Sequence, residues 1–190
     1  MTVLVAARTR DGHVVMAADS QTTAGWAKER NTSTKIWVAG QFLIGASGCV
    51  RTAQVIKHFT TWPKWRPDED TDPEVFIVKQ LVPAIRRGVE NQGVLDTTKP
   101  VHVLATSLLI AWDGHIADLH GNGAVVIPHE GRAAGGSGYA EALGALGEKG
   151  PWTRNQVIEA ARRATITNLG CSGPIAVADT KHLEITEVPE

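Results

Sequence analysis

Features that mark several large classes of protein are scarce in this chain of 190 residues. It has only two cysteines, Cys49 and Cys171, and no Cys-x-x-Cys pair, so neither a disulfide framework nor a cysteine-based zinc motif is indicated. Both cysteines lie among small residues, in SGCV and GCSG, and we expect buried or half-buried thiols. Nineteen basic residues stand against twenty acidic ones. This balance gives no electrostatic indication of nucleic-acid or membrane-surface binding, and we expect neither partner.

Long apolar segments are also absent. No run approaches the roughly 18 apolar residues that a membrane-spanning helix needs. Four polar residues interrupt the apolar start that a secretory signal would require: Arg8, Arg10, Asp11 and His13. We therefore expect a cytoplasmic protein, with residues 1–190 forming one domain that is large enough to bury a core.

What the chain does have is a series of strand pairs joined by short turns. Apolar runs at 2–8 and 13–18 flank Asp11-Gly12, and two further runs flank Asp113-Gly114, a dipeptide typical of hairpins. Similar pairs join at Ala39-Gly40 and Thr180-Lys181. A polar stretch, 19–34, shows no comparable pattern.

Helical patterns also come in pairs. One helix starts near Val50, and the next begins in TDPE with Asp72 as cap and Pro73 at the first helical position. Pro83 should kink this second helix, and the Trp- and Pro-rich connection at 60–70 should be exposed. Later, GYAEALGAL and a second helix form another pair, and Thr153 and Gln156 have the spacing of a capping box at the start of this second helix. The order ββ-ββ-αα-ββ-ββ-αα-ββ predicts an α+β fold, a four-layer αββα sandwich with two antiparallel sheets between helix layers.

Thr2 follows Met1 directly, which gives it two interpretations. It either starts a strand, or it becomes a nucleophile once Met1 is removed. A threonine hydroxyl needs an adjacent base. A free α-amine has a reference pKa near 7.7–8.0, so part of it is neutral at physiological pH and able to accept the hydroxyl proton.

Three further residues could serve such a nucleophile. Asp19 ends an apolar run and Lys35 opens another; if both point into one site, the carboxylate orients the ammonium. Alternatively, Asp19 is a turn residue and Lys35 an exposed strand start. Gly48 lies where a strand passes into a helix, so its N–H suits an oxyanion, unless the glycine only permits a tight turn.

Other patterns point to no cofactor. The glycine-rich segment 135–146 opens a helix but lacks the spacing and the lysine of a phosphate-binding loop. Asp118 and His120 share one strand face, which would suit a metal, but no third ligand has convincing spacing. We expect no cofactor to be required for the chemistry.

Taken together, three segments resemble the proteasome β-subunit family of N-terminal-nucleophile hydrolases, and within it the HslV-type bacterial threonine peptidases. They are TVLVAAR…DGHVVMAADSQTTAG, TKIWVAG with FLIGASG, and GGSGYAEALGAL. The resemblance covers nearly the whole chain and implies the αββα fold and peptide-bond hydrolysis. It places Thr2 at the nucleophile, Asp19 and Lys35 at its charged partners, and Gly48 at the oxyanion.

The same resemblance implies residues that bind substrate. Ala46 and Val50 fall in the primary specificity pocket with Ser33 at its edge, and Thr22 and Thr23 fall on a strand that pairs with extended substrate. Small side chains would leave this pocket roomy and apolar.

Two positions depart from the family pattern. The family serine corresponds to Ser137, with Gly135 as the competing match. An aspartate common in the family corresponds to Asn168 or Leu169. A cation held by backbone carbonyls near residues 165–171 is also implied, without assigned ligands.

The resemblance further implies a homo-oligomer of stacked rings, with six or seven subunits left open, that receives unfolded polypeptides from a separate AAA+ unfoldase. Two alternatives remain. One is a noncatalytic ring-building subunit, as expected of a chain that keeps Met1 and so lacks a free amine. The other is an N-terminal-nucleophile amidohydrolase that acts on small amides.

Overall fold

The start of the chain shows how its layers are built. Successive side chains of an extended segment point to opposite faces. Accordingly, Val3, Val5 and Ala7 pack in one core cluster, whereas Leu4 and Ala6 pack in another. Both faces are buried, which explains why this segment is almost continuously apolar instead of alternating with polar residues.

The computed structural model describes residues 1–24, 27–30, 34–98 and 101–189. One five-stranded sheet has the order β12-β1-β2-β13-β14 and another has the order β11-β10-β9-β6-β5, with β3-β4 and β7-β8 as two-stranded additions. All of these pairs are antiparallel. The strands are β1 Leu4–Arg8, β2 Val14–Ala18, β3 Gln21–Ala24, β4 Ala27–Arg30, β5 Ile36–Ala39, β6 Phe42–Gly48, β7 Leu95–Asp96, β8 Val103–Leu104, β9 Thr106–Trp112, β10 His115–Leu119, β11 Val125–Val126, β12 Arg132–Gly135, β13 Ile175–Asp179 and β14 Thr186–Val188.

Helices cover the outer face of each large sheet. They are α1 Val50–Phe59, α2 Pro73–Phe76, a π-helical turn Ile77–Leu81, α3 Val82–Val89, α4 Tyr139–Leu146 and α5 Arg154–Thr167. One apolar cluster joins α4 and α5 to the β1 sheet, a second joins α1 and α3 to the β6 sheet, and a third lies between the sheets. The predicted α+β, four-layer αββα sandwich is confirmed. Within the described residues, no helix is long and apolar enough to cross a lipid bilayer.

Local signals placed several elements correctly. The hairpin between β9 and β10 turns at Asp113 and Gly114, whose φ angles of 41° and 76° suit the turn that the Asp-Gly pair predicts. Helix α5 begins with the capping box predicted from Thr153 and Gln156, in which each side chain accepts from the other's backbone N–H. Asp72 caps α2 as predicted by accepting from two backbone N–H groups.

The resemblance implies a strand at Thr22 and Thr23, and the structure has β3 there, paired with β4. The residue pattern alone does not show this hairpin, because neither strand alternates apolar and polar residues. Another expectation was wrong. The connection at 60–70 is not all exposed. Trp65 is buried, packs edge-on against Trp112 and Phe76, and donates its indole N–H to Asp113 at 3.0 Å. The aromatic cluster thus draws part of this connection into the core.

The proline in the second helical region is accommodated by a change of helix type. The π-helical turn Ile77–Leu81 ends two residues before Pro83, which is the second residue of α3. Proline cannot donate a backbone hydrogen bond and its ring crowds the carbonyl four residues earlier, so a wider turn at this place relieves the conflict.

Candidate active site

Thr2 lies just before β1 and is almost fully buried, at 6% exposure. With Met1 attached, its Oγ1 donates to the Met1 carbonyl oxygen at 2.7 Å. Its own carbonyl oxygen accepts from Gly138 N at 3.1 Å. The hydroxyl is therefore held at a fixed place beside a peptide carbonyl.

Asp19 is brought beside this segment by the hairpin register. Leu4 pairs with Ala18 across β1 and β2, so the next residue, Asp19, comes opposite Val3. Its carboxylate is fully buried, and Oδ1 accepts from Val3 N at 2.9 Å. Oδ2 accepts from Gln21 N and Ser172 N, both at 3.3 Å. A buried carboxylate needs such donors and a counter-ion, so Asp19 is a fixed anchor here and not a turn residue at the surface.

Lys35 supplies that counter-ion from the other sheet. It lies directly before β5, and its Nζ is 2.7 Å from Asp19 Oδ1. The same Nζ donates to the Met1 carbonyl oxygen at 3.1 Å, so Lys35 and the Thr2 hydroxyl meet at one oxygen atom. An ammonium at this place can stabilise negative charge that develops on the Thr2 hydroxyl oxygen or on the carbonyl oxygen that it contacts. The alternative of an exposed strand start does not hold, because the side chain is only 14% exposed.

Of the two matches for the family serine, the structure brings Ser137 to Thr2. Ser137 Oγ accepts from Thr2 N at 3.3 Å. Gly135 instead belongs to β12 and pairs with Leu4. Gly136 makes the close approach possible, because a Cβ at that residue would lie 2.2 Å from the Thr2 carbonyl oxygen.

Asn168, and not Leu169, supports Ser137. The Asn168 side chain donates to the Ser137 carbonyl oxygen at 3.0 Å, while Leu169 is 84% exposed. The Asn168 amide oxygen in turn accepts from Gly170 N. The position that lacks the family aspartate therefore holds an amide that fixes the backbone of Ser137.

Gly48 ends β6 beside Thr2, one residue before the cap of α1. Its φ of 118° disfavours any side chain, and a Cβ there would lie 2.4 Å from the Ala105 carbonyl oxygen. Gly48 lines two cavities that also share Thr2, one of about 280 Å³ and one of about 550 Å³. The role of its N–H as an oxyanion donor stays a prediction.

The two cysteines differ, contrary to the expectation that both are buried or half-buried. Cys49 is exposed between the end of β6 and the start of α1, and it lines the 280 Å³ cavity. Hydrogen bonds from the backbone and side chain of Thr52 lower the pKa of its thiol. Cys171 is buried 3.8 Å from Ser137 Oγ, and burial together with the charge of Asp19 raises its pKa.

The predicted substrate-binding residues separate into three groups. Thr22, Ala46 and Val50 line the 280 Å³ cavity together with Thr2. Thr23 lies beside Thr22 on β3, and its hydroxyl accepts from the Gln21 side chain at 3.1 Å. Ser33 lies outside the described residues.

The cavity also holds residues that sequence reasoning missed: Trp37, Ala53, Gln54 and Lys57. Helical spacing could have found three of them, because Val50, Ala53, Gln54 and Lys57 follow the i, i+3, i+4, i+7 pattern of one helix face. Trp37 comes from β5, and no local signal points to it.

Metal-binding residues are sparse in the part of the chain that the structure describes, where no group of three His, Cys, Asp or Glu side chains could hold an ion. Asp118 and His120 come within 3.7 Å of each other, and burial raises the pKa of Asp118. His120 lines the larger cavity. The cation suggested near residues 165–171 stays a prediction.

No protein-family model matches the chain, but solved structures do. BPH of Thiobacillus denitrificans aligns at a TM-score of 0.74 and 18% identity, over 93% of this chain and 96% of BPH. BPH in complex with epoxomicin aligns at 0.71 and 17% identity, over 93% and 97%. HslV from Trypanosoma brucei aligns at 0.67 and 18%, over 93% and 98%. The predicted HslV-like, proteasome β-type fold is therefore confirmed.

Proposed function

We propose that this chain, which has the fold of HslV, is the threonine-type endopeptidase subunit of an ATP-dependent, self-compartmentalised protease. The observation that carries the proposal is the convergence on Thr2 of three groups from distant parts of the chain. Ser137 Oγ lies 3.3 Å from Thr2 N, and the Asp19–Lys35 ion pair lies beside the oxygen that Thr2 Oγ1 contacts. A strand that merely begins with threonine requires none of them.

Removal of Met1 is the first step of the proposed mechanism, because it turns the Thr2 amide nitrogen into an α-amine. That amine then lies beside Ser137 Oγ and takes the proton of Thr2 Oγ1 as the oxygen attacks the scissile carbonyl carbon. Lys35 stabilises the negative charge on the attacking oxygen, and Asp19 fixes the ammonium in place.

The tetrahedral intermediate needs a donor for its oxyanion, a role that we assign to Gly48 N–H. When the intermediate collapses, the C–N bond breaks and the α-ammonium returns its proton to the leaving amine. The acyl group stays bonded to Thr2 Oγ1 as an ester, because the Oγ1–C bond formed in the attack is retained. Water, activated by the same amine, attacks this ester and releases the acid, which regenerates the hydroxyl.

Substrate would lie along β3 at Thr22 and Thr23, with one side chain in the cavity that Ala46 and Val50 line. In the assembly that we propose, stacked homo-oligomeric rings enclose the Thr2 sites. A separate AAA+ unfoldase then delivers unfolded polypeptide and supplies the ATP hydrolysis. We place the complex in the cytoplasm.

The test compares the wild-type chain with Thr2→Ala, using Thr71→Ala at an exposed threonine before α2 as the matched control. Intact-mass measurement first establishes that Met1 is gone from the wild type. We expect hydrolysis of casein and of short fluorogenic peptides by wild type and Thr71→Ala, and none above background by Thr2→Ala. Undiminished cleavage by Thr2→Ala would overturn the mechanism.

Native mass spectrometry of the same samples separates the alternatives. A ring that retains Met1 and cleaves nothing would indicate a noncatalytic subunit. A monomer or dimer that cleaves small amides but not unfolded protein would indicate an amidohydrolase. Epoxomicin, which BPH binds, gives an independent readout: we expect it to raise Tm more for the Met1-free wild type than for Thr2→Ala.

A further inference from the structure

We propose that the 280 Å³ cavity beside Thr2 binds an acidic side chain of the substrate, and that Lys57 determines this specificity. The inference rests on the proposed function, because it assigns the residue that precedes the scissile bond. A glutamate in that position would place its carboxylate against the Lys57 ammonium.

The charges that line this cavity are of one sign. Its described lining includes Lys35 and Lys57, with His58 beside them, and no aspartate or glutamate. The remaining wall is formed largely by small or apolar side chains, among them Ala46 and Ala53. Such a wall accommodates the methylene groups of a long side chain but provides no anion to balance the lysines.

The two lysines are not equivalent. Lys35 has its counter-ion, the buried Asp19 carboxylate at 2.7 Å. Lys57 is half-buried, and within the described residues it has no ion pair. A partly desolvated ammonium without a counter-ion attracts a carboxylate more strongly than a fully hydrated one does, because the effective dielectric constant is lower. Lys57 is therefore the cation that a substrate carboxylate would meet.

The position of Lys57 on α1 fits this role. Val50, Ala53 and Lys57 lie on one helix face, and seven residues at a rise of 1.5 Å separate Val50 from Lys57 by about 10 Å along the axis. Long side chains on a helix lean toward its N-terminus, so we expect the Lys57 ammonium on the Ala53 side of its own Cα. Glutamate is one methylene longer than aspartate, so its carboxylate reaches further along this helix face toward the Lys57 ammonium.

The experiment measures kcat/KM of the Met1-free protein on fluorogenic peptides that differ only in the residue before the leaving group: Glu, Gln or Leu. Glu and Gln have nearly the same shape, so their ratio isolates charge. We expect Glu to be favoured over Gln by at least about tenfold, with the ratio falling as ionic strength rises.

Variants of Lys57 then test whether this residue determines the preference for Glu. Lys57→Gln should bring the Glu-to-Gln ratio to about 1, whereas Lys57→Glu should favour a lysine substrate. Lys57→Arg should retain the preference for Glu, because it keeps a positive charge in the cavity and also at the carbonyl end of α1. A change that only weakened this end of the helix would lower both rates and leave the Glu-to-Gln ratio unchanged. Lys79→Gln, a matched change at an exposed lysine of the π-helical turn, should leave the ratio unchanged.

Two results would overturn the inference while leaving the proposed function intact: cleavage with equal rates for Glu and Gln, or an unchanged ratio in Lys57→Gln. If no peptide is cleaved, the proposed function fails instead. The cavity is then judged by binding of acetylated peptides that end in Glu or Gln amide to Thr2→Ala, measured by titration calorimetry. Tighter binding of the Glu peptide, lost in Thr2→Ala/Lys57→Gln, supports the cavity assignment, and equal binding refutes it.

Discussion

The ammonium of Lys35 and the carboxylate of Asp19 lie 2.7 Å apart at the junction of the two large sheets. Asp19 directly follows β2 of one sheet and Lys35 directly precedes β5 of the other, so the ion pair links the two sheets and also places a charge in the site. Removing one partner of a buried pair leaves the other charge uncompensated, which is more destabilising than the loss of an exposed pair.

We therefore predict that Lys35→Met lowers both stability and activity. The free energy of unfolding should fall by about 3–5 kcal/mol, because the Asp19 carboxylate is left buried without its cation. Cleavage should fall by about 10²–10³-fold under conditions where the variant is still folded. Urea unfolding and peptide hydrolysis measure the two effects.

Lys64→Met is the control for this change, since Lys64 is exposed on the connection after α1. It should alter stability by less than about 0.5 kcal/mol and leave cleavage intact. A Lys35→Met protein as stable as the wild type would contradict the prediction that Asp19 depends on this cation.

Ser137→Ala removes the hydroxyl that lies 3.3 Å from Thr2 N. We predict a fall in kcat of about tenfold with KM little changed, because one hydrogen bond contributes on the order of 1 kcal/mol and this one orients the base, not the substrate. Asn168→Ala should have a smaller effect of the same kind, since Asn168 holds only the Ser137 backbone. Steady-state kinetics with Asn155→Ala, an exposed change on α5, as control will rank the three. An Asn168→Ala defect larger than that of Ser137→Ala would argue against this order of support.

How well the sequence predicted a feature depends on whether the feature is determined by neighbouring residues or by residues distant in the chain. Short-range signals worked: the Asp113-Gly114 turn and the Thr153 capping box are set by neighbouring residues. The burial or exposure of side chains whose contacts are distant in the chain was not predicted correctly. Trp65 is buried because Phe76 and Trp112 receive it, and Cys49 is exposed because β6 ends at the surface of a cavity.

The site shows the same division. The hairpin register, with Leu4 opposite Ala18, places Asp19 next to Val3 and follows from the turn at Asp11-Gly12. Lys35 reaches Asp19 only through the packing of one sheet on the other, which no local pattern encodes. The resemblance to a known family predicted this pairing. Lys57 was missed, although the helical periodicity of α1 alone could have placed it on the same face as Val50.

The two thiols should react very differently. Hydrogen bonds from Thr52 lower the pKa of the exposed Cys49, so more of it is thiolate near pH 7.5, whereas burial raises the pKa of Cys171. We predict that N-ethylmaleimide modifies Cys49 at least about tenfold faster than Cys171, as measured by peptide mass mapping. Because Cys49 lines the cavity beside Thr2, its modification should also block cleavage, and Cys49→Ser should resist this inhibition. Faster labelling of Cys171, or full activity after stoichiometric labelling of Cys49, would contradict the assignment.

His115 should make the protein less stable in mild acid. Burial lowers the pKa of its imidazole below the usual value near 6.5, and the charge of Arg8 lowers it further, although Asp113 opposes the shift. Its ring packs against Trp65 and Trp112, with ring centroids 5.4 Å apart in each case. As pH falls through about 6.5, the unfolded chain therefore takes up a proton at His115 before the folded chain does. The free energy of unfolding then decreases until the pH reaches the lowered pKa of the folded state.

Urea unfolding at pH 7.5 and at pH 5.5 measures this loss, and His115→Gln, which cannot take up the proton, is the comparison. The decrease between the two pH values should be smaller in His115→Gln than in the wild type, whatever the absolute stability of the variant. His129→Gln, a change at an exposed histidine outside the aromatic cluster, is the matched control. Equal pH dependence in the wild type and His115→Gln would show that the aromatic packing around His115 does not resist protonation. The loss in mild acid would then have to come from other groups.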